Sequence, residues 1–183
     1  GGVVGTIIGC LTGYFGGVAD LILMRVCDAI TAFPSILLAL VLITIIGQGK
    51  YPIILILGIL FIPSFARVVR GEVAKQRNMN YVASARLMGA SHLRIIFRHI
   101  LPNVVSLLIV SMTLDFATCM LTESTLSYLG FGIPLPTPTW GNLLNGANNS
   151  IVIQQYWWQW VFPAAIFGIC TICINLIGDG LRD

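Results

Sequence analysis

Residues 80–103 read NYVASARLMGASHLRIIFRHILPN, and the rest of the chain takes its meaning from this stretch. It is basic, punctuated by turn formers and amphipathic, inside a sequence that is otherwise mostly bilayer-compatible. From Asn80 a short helical pattern runs through Tyr81, Val82, Ala85 and Met88, and Gly89 supplies the left-handed residue that closes a short helix. Ser91 then caps a second helix. In that one Leu93, Ile96, Phe97 and Ile100 recur at the spacing of one helical face, while Arg94 and Arg98 point elsewhere. Pro102 is expected to mark a boundary before a new apolar run. A segment of this kind faces water and a partner.

The surrounding composition excludes an ordinary soluble domain. Hydrophobic residues make up 57% of the chain and charged ones only 9%, against about 25% charged in soluble proteins. With a mean hydropathy of +0.92, this is an integral membrane domain. The formal charge of +3 says less than its distribution, because the basic residues cluster. The sequence starts inside an apolar run and stops just after the last one, without an initiator Met, a cleavable signal pattern or a soluble tail. It is therefore read as a slice of a longer protein.

Residues 1–19 carry no charge and place Gly1, Gly5, Gly9, Gly13 and Gly17 at four-residue intervals, a seam along which a neighbouring membrane helix approaches closely. Its role is packing, or alternatively a sliding hinge. Asp20, Arg25 and Asp28 then mark a short polar turn at one membrane face. A second apolar run covers residues 29–46, with Pro34 beginning or kinking it, and Gly47-Gln48-Gly49-Lys50 forms a turn on the opposite face. A third run opens at Tyr51-Pro52 and ends near Val69. A fourth follows Pro102 to near Leu121, and a fifth occupies residues 157–177 around Pro163. Runs of about 18 residues span roughly 27 Å, enough for the hydrocarbon layer.

Five spans fix a sidedness that the basic residues test. One face receives Arg25, Arg67, Arg70, Lys75, Arg77, Arg86, Arg94, Arg98 and Arg182, and the other receives Lys50 alone. That asymmetry places the loop of residues 70–98 in the cytoplasm and the connection 122–156 outside. Tyr156, Trp157, Trp158 and Trp160 suit the outer interface as anchors, or alternatively stack on a ligand. Pro134, Pro136 and Pro138 are expected to hold the external connection extended rather than helical.

The sequence offers no hydrolytic or redox constellation. His92 and His99 are the only histidines, both in the basic stretch and read as surface or interface residues. Cys10, Cys27, Cys119, Cys170 and Cys173 lie in or beside apolar segments, where thiols act as small hydrophobes. The Cys170-x-x-Cys173 pair lacks the second pair that a zinc site requires. No G-x-x-x-x-G-K-[ST] phosphate loop is present, so any ATP would be held by another chain. Asp115 and Glu123 are the charges nearest membrane depth. A carboxylate facing lipid costs about 2.5–3.5 kcal/mol at mid-bilayer, so both are expected to face protein or a wet cavity.

Ala83-Ser84-Ala85, Gly89 four residues on, and Leu101-Pro102 resemble the cytoplasmic EAA loop of permease subunits in bacterial ABC importers served by a binding protein. The order of segments resembles the dipeptide and oligopeptide branch, which also contains nickel permeases. The resemblance covers essentially the whole chain, and the loop is its most specific part. Ala83 stands where that family usually has Glu, and His99 where it often has an aliphatic residue. The resemblance implies an all-α integral membrane fold, the type I importer transmembrane domain, with five transmembrane helices across residues 1–183, a coupling loop at 70–100 and an external loop at 122–156. It also implies separate ABC ATPase subunits holding ATP and Mg, a second homologous permease subunit, an extracytoplasmic peptide-binding protein and the lipid bilayer of the bacterial inner membrane as partners, and no nucleic acid.

On this footing Tyr81, Ala83, Ser84, Ala85, Arg86, Met88, Gly89, Leu101 and Pro102 are the expected ATPase-coupling residues, with Tyr81, Ala85 and Met88 on the inserted face. Asp115 and Glu123 are the expected pathway residues. An alternative for the loop is an amphipathic segment lying on anionic lipid. The expected function is import of short peptides, without enzymatic activity in this chain. The alternatives are a nickel permease of the same branch, an ion-gradient-driven secondary transporter, which would show paired intramembrane carboxylates or repeated broken helices, or a scaffold without transport.

Overall fold

The structure is a computed structural model that describes residues 1–181, so Arg182, counted above with the basic residues, lies outside the described residues. It is helical with no strand among those residues. Helix α1 (Gly2–Phe15) is followed by α2 (Gly17–Thr31), because Gly16 and Gly17 both take φ 65°, a value that ends a right-handed helix. Pro34 caps α3 (Ser35–Ile46), so it begins that helix rather than kinking it. Next come α4 (Lys50–Leu60) and α5 (Ile62–Arg77), separated by Phe61 alone, with Pro63 in the first turn of α5. The chain continues through α6 (Asn80–Leu87), α7 (His92–Arg94), a π-helical turn (Ile95–Ile100) and α8 (Leu101–Tyr128). It ends with α9 (Trp140–Gly146), α10 (Ser150–Gln155) and α11 (Trp158–Gly180), the last carrying Pro163 inside it.

Three helical stretches are long and apolar enough to cross a membrane: Lys50–Arg77, His92–Tyr128 and Trp158–Gly180. A fourth is reached if α2 and α3 form one broken span. Helix α1 is apolar but has 14 residues, roughly 21 Å of rise and short of the hydrocarbon thickness. Among the described residues, length and composition thus suit three or four crossings, against the five expected. Several boundaries also move. The polar turn expected at Asp20–Asp28 is part of α2, the third run continues as helix through Arg77, and the fourth extends to Tyr128. Polar residues persist in α8 because Thr118, Thr122 and Thr125 donate to the carbonyls four residues back, at 2.8–3.1 Å.

The chain divides into two compact units. One comprises residues 1–33 and 58–112. Its centre is the pairing of α1 with α5, where Gly5, Gly9 and Gly13 sit directly against the backbone of residues 62–73. A buried cluster of Cys10, Tyr14, Val69, Val73, Val82 and Ile100 continues from that pairing into the stretch 80–103. Gly17, the last member of the expected seam, has nothing within 4 Å and serves the turn instead.

Helix α2 is tied to α5 by charge. Arg70 donates from Nε and Nη2 to the two oxygens of Asp20 at 2.5 and 2.6 Å, and Arg67 Nη2 donates to Asp28 and Thr31 at 3.1 and 2.6 Å. The Arg70 side chain is 44% exposed, so the pair is worth about 1 kcal/mol at most after screening. Reversing one partner, as in Asp20→Arg, is expected to lower the unfolding midpoint of the detergent-solubilised protein. Adding Arg70→Asp should restore most of the loss. A double variant no more stable than the single would show that the pair does not hold α2.

The second unit comprises residues 34–57 and 113–180. Here the connection after α8 folds back onto it. A Cβ on Gly141 would collide with the Ser124 carbonyl and one on Gly132 with the Cα of Ser127, so both glycines mark backbone-close docking. Asn142 Nδ2 donates to the carbonyls of Ile133 and Thr137 at 2.7 and 3.3 Å, and Trp140 meets Phe167 of α11 with ring centroids 5.8 Å apart. Residues around the three prolines are non-helical as expected, but α9 and α10 interrupt the extended path, started by the side-chain caps Thr139 and Asn149. Gln48 Nε2 donates to the Gly130 carbonyl at 3.0 Å, joining the turn after α3 to the end of α8.

Candidate functional site

The stretch 80–103 is braced by its packing on α1 and α5. Helix α6 is closed by Gly89 at φ 79°, with Ala90 N–H donating to the Ala85 carbonyl at 3.1 Å and Gly89 N–H to Arg86 at 2.9 Å. This is the paired C-terminal motif that a left-handed glycine permits. Ser91 Oγ then accepts from the Arg94 N–H at 3.4 Å, capping α7. Both punctuation residues stand where the sequence places them.

Helix α6 turns Val82 and Ala85 inward, fully buried against α1, α5 and the residues that follow. Tyr81, Ala83, Ser84 and Arg86 are exposed, while Leu87 and Met88 are 90% and 80% exposed. The spacing of Tyr81, Ala85 and Met88 suggests one shared outward face, but Ala85 is inside. Met88 is the C-cap at ψ 2°, off the helical path, and so parts company with that face. Tyr81 is steadied by its hydroxyl, which donates to Gln76 Oε1 at 2.7 Å.

The second half departs further from expectation. Pro102 stands at a change of helix type and not at a break: the π turn gives way to α8 at Leu101, but the helical stretch is continuous from His92 to Tyr128. Proline has no N–H to give, and the preceding residues take the wider π spacing, with Leu101 N–H reaching the Ile96 carbonyl. Asn103 Nδ2 donates to the His99 carbonyl at 2.7 Å, a side chain serving an acceptor that the main chain would otherwise serve. The wider spacing rotates the face. Ile95, Ile96 and Ile100 are buried, whereas Leu93 and Phe97 are exposed and line an apolar groove of about 360 Å3 with Ile7 and Leu11 of α1. Leu101 is partly buried against the core and Pro102 is exposed.

A residue outside the expected set proves central. Tyr14, in the last turn of α1, shares a 2.9 Å hydrogen bond with His92 Nδ1, takes the Arg86 guanidinium over its ring at 5.4 Å and accepts from Arg77 Nη1 through its carbonyl at 2.9 Å. His92 is thus an interface residue within the chain. Of the two acidic positions singled out in the sequence, Glu123 accepts a 2.6 Å hydrogen bond from Ser127 Oγ one turn away, and Asp115 lies half-buried further back on α8.

Long apolar helices joined by a braced, basic, amphipathic loop are the make-up of a multi-pass membrane protein. The chain belongs to the family described as the binding-protein-dependent transport system inner membrane component, which it matches over residues 5–183. It is 42% identical over 183 residues to the glutathione transport system permease protein GsiD of Pectobacterium atrosepticum, covering 100% of this chain and 60% of that protein. The same identity and coverage hold for GsiD of an Escherichia coli strain. A Brucella ovis relative, whose name includes the words "peptide permease protein", is 39% identical over 180 residues, 98% of this chain and 60% of its own. The chain thus spans 60% of the length of these curated relatives. The family is a transport-system component and not an enzyme class.

Proposed function

We propose that this chain is a permease subunit of an ATP-driven importer, taking short peptides from an extracytoplasmic binding protein and passing them across the bacterial inner membrane by alternating access. Peptide and glutathione, itself a tripeptide, are what the relatives' names carry. Short peptides are the class common to both, and none of the relatives named above carries a metal in its name. In this reading ATP and Mg are held by partner ATPase subunits, a sister permease completes the pathway, and residues 1–183 form one type I transmembrane domain whose five crossings are the three long apolar helices, the α2–α3 pair and the short α1. Asp115 and Glu123, roughly two turns apart on α8, border the pathway rather than lipid.

The observation that carries the proposal is the apolar pair at the outer end of α6. Leu87 and Met88 are almost fully exposed while the opposite face of the same helix is buried in the core. Two large apolar side chains held out to water on a stiff support fit a partner's cleft. Tyr81, Ala83, Ser84 and Arg86 flank them, and Ala85, Gly89, Leu101 and Pro102 act from behind as the support. The clustering of basic residues supports a cytoplasmic position for this loop.

Met88→Asp, alone and with Leu87→Asp, is expected to lower uptake roughly ten-fold or more in vesicles holding the whole transporter, because the cleft would have to bury an unpaired carboxylate. Membrane insertion should be unchanged. Undiminished uptake, or uptake that survives removal of the ATPase's catalytic Glu, would set the proposal aside.

A further inference from the structure

The coupling role proposed for the loop makes no use of α1, yet one residue of α1 meets side chains from both halves of the loop. Tyr14 is 3% exposed, and three consecutive helical elements converge on it: Arg77 from the end of α5 on its carbonyl, Arg86 from α6 on its ring and His92 from α7 on its hydroxyl. Phe15 closes the group, edge-on to the Tyr14 ring at 5.1 Å and 5.9 Å from the His92 ring. Arg86 and His92 stand three residues before and three residues after Gly89. One side chain of α1 is therefore gripped from both sides of the loop's left-handed residue.

We propose that Tyr14 is a positioning residue that pins both halves of the loop to α1, so that displacement of α6 is delivered into the α1–α5 pair as well as along the chain into α8. The covalent path alone is a poor lever. It leaves α6 through residues 88–91, a turn built around a glycine, and a turn of that kind bends more readily than it pushes. Contacts that cross the turn convert the two halves into one body. Helix α1 then passes the motion on, because Gly5, Gly9 and Gly13 leave no gap between it and α5, and close-packed interiors transmit strain. The hydroxyl is separable from the packing: a phenylalanine ring fills the same space under Arg86 and beside Phe15 while giving His92 no partner.

The inference rests on the coupling role of the loop, and its test keeps the two apart. The full permease is reconstituted with its ATPase subunits, sister permease and binding protein in vesicles, and uptake of a labelled tripeptide that wild-type vesicles accumulate is measured with ATP hydrolysis and the unfolding midpoint. Tyr14→Phe and His92→Ala should each lower peptide imported per ATP by roughly three- to ten-fold, the population factor of one ordinary hydrogen bond, with a midpoint near wild type. The double variant should be no worse than either single one, since both remove the same bond. An unchanged ratio in all three overturns the inference. So does a parallel fall of uptake and hydrolysis that tracks lost folded protein, which is the signature of packing alone. Should Met88→Asp uncouple the transporter while Tyr14→Phe does not, only the role of Tyr14 falls. Should Met88→Asp itself be silent, the coupling role has failed first.

Discussion

Gly9→Leu is expected to leave no folded protein to extract from the membrane. A side chain at this position has nowhere to go: its Cβ alone would lie 2.6 Å from the Val69 Cβ and 2.7 Å from the Ala66 carbonyl oxygen. Both neighbours belong to the backbone or its first side-chain atom, so no rotamer change relieves the clash. The problem repeats along the helix. A Cβ on Gly5 would meet the Ile62 carbonyl at 2.8 Å and one on Gly13 the Arg70 carbonyl at 2.7 Å. The partners advance by four residues as the glycines do, so α1 and α5 run parallel in one register and cannot shift locally to admit a single intruder. Overpacking a core usually costs about 1–3 kcal/mol. Opening this seam separates two helices along their contact and loses close packing at each step, which in a membrane is the main attraction between helices. Gly9→Ala should lower the unfolding midpoint measurably. Gly71→Ala is the control, in the same helix pair but with nothing within 4 Å, and it should be neutral or stabilise by about 0.5–1 kcal/mol. Equal yields of Gly9→Leu and Gly71→Ala after solubilisation would mean that α1 does not pack on α5 in this way.

The sequence makes some of this readable and hides the rest, and the division follows the range of the interactions. Gly89 and Ser91 are found because a helix C-terminus and a cap depend on a few adjacent residues. The glycine seam is found because its period is local, but its partner is not, since α5 lies some fifty residues on. Asp20 and Asp28 look like a turn because charges in an apolar run suggest water. Within the helix they are paired with Arg67 and Arg70 of α5, whose approach no local pattern announces. The face assigned to Leu93, Ile96, Phe97 and Ile100 assumes 3.6 residues per turn, and the π turn ahead of Pro102 changes that period. The Pro102-Asn103 pair is the sole local hint of it. Tyr14 is hidden from a local reading for the same reason as the ion pairs: the side chains that grip it come from residues 77, 86 and 92. A tyrosine near the end of an apolar helix, with arginines in a basic loop, is the faint signal that remains.

Gly89→Pro should abolish coupled uptake while the protein still inserts and folds. Two requirements fail at once in this variant. Residue 89 sits at φ 79°, whereas proline is fixed near −65°, so the chain cannot turn from α6 into α7 along its present path. The N–H that donates to the Arg86 carbonyl at 2.9 Å is also lost. Neither change touches the α1–α5 seam or the spans themselves, so insertion should be retained. What is lost is the angle at which α6 presents Leu87 and Met88, and with it the simultaneous grip of Arg86 and His92 on Tyr14. Other substitutions should rank by their tolerance of a left-handed backbone. Gly89→Asn should be mildest and Gly89→Ala intermediate, at about 1–2 kcal/mol of strain, with Gly89→Pro the most severe. Uptake per ATP hydrolysed, measured across the series in reconstituted vesicles, should fall in that order while yield stays level. Wild-type uptake and hydrolysis in Gly89→Pro would show that the loop need not hold this shape. A series that ranks by side-chain volume instead would show that Gly89 is there to admit a partner rather than to turn the chain, because nothing in this structure lies within 4 Å of the space a side chain would enter.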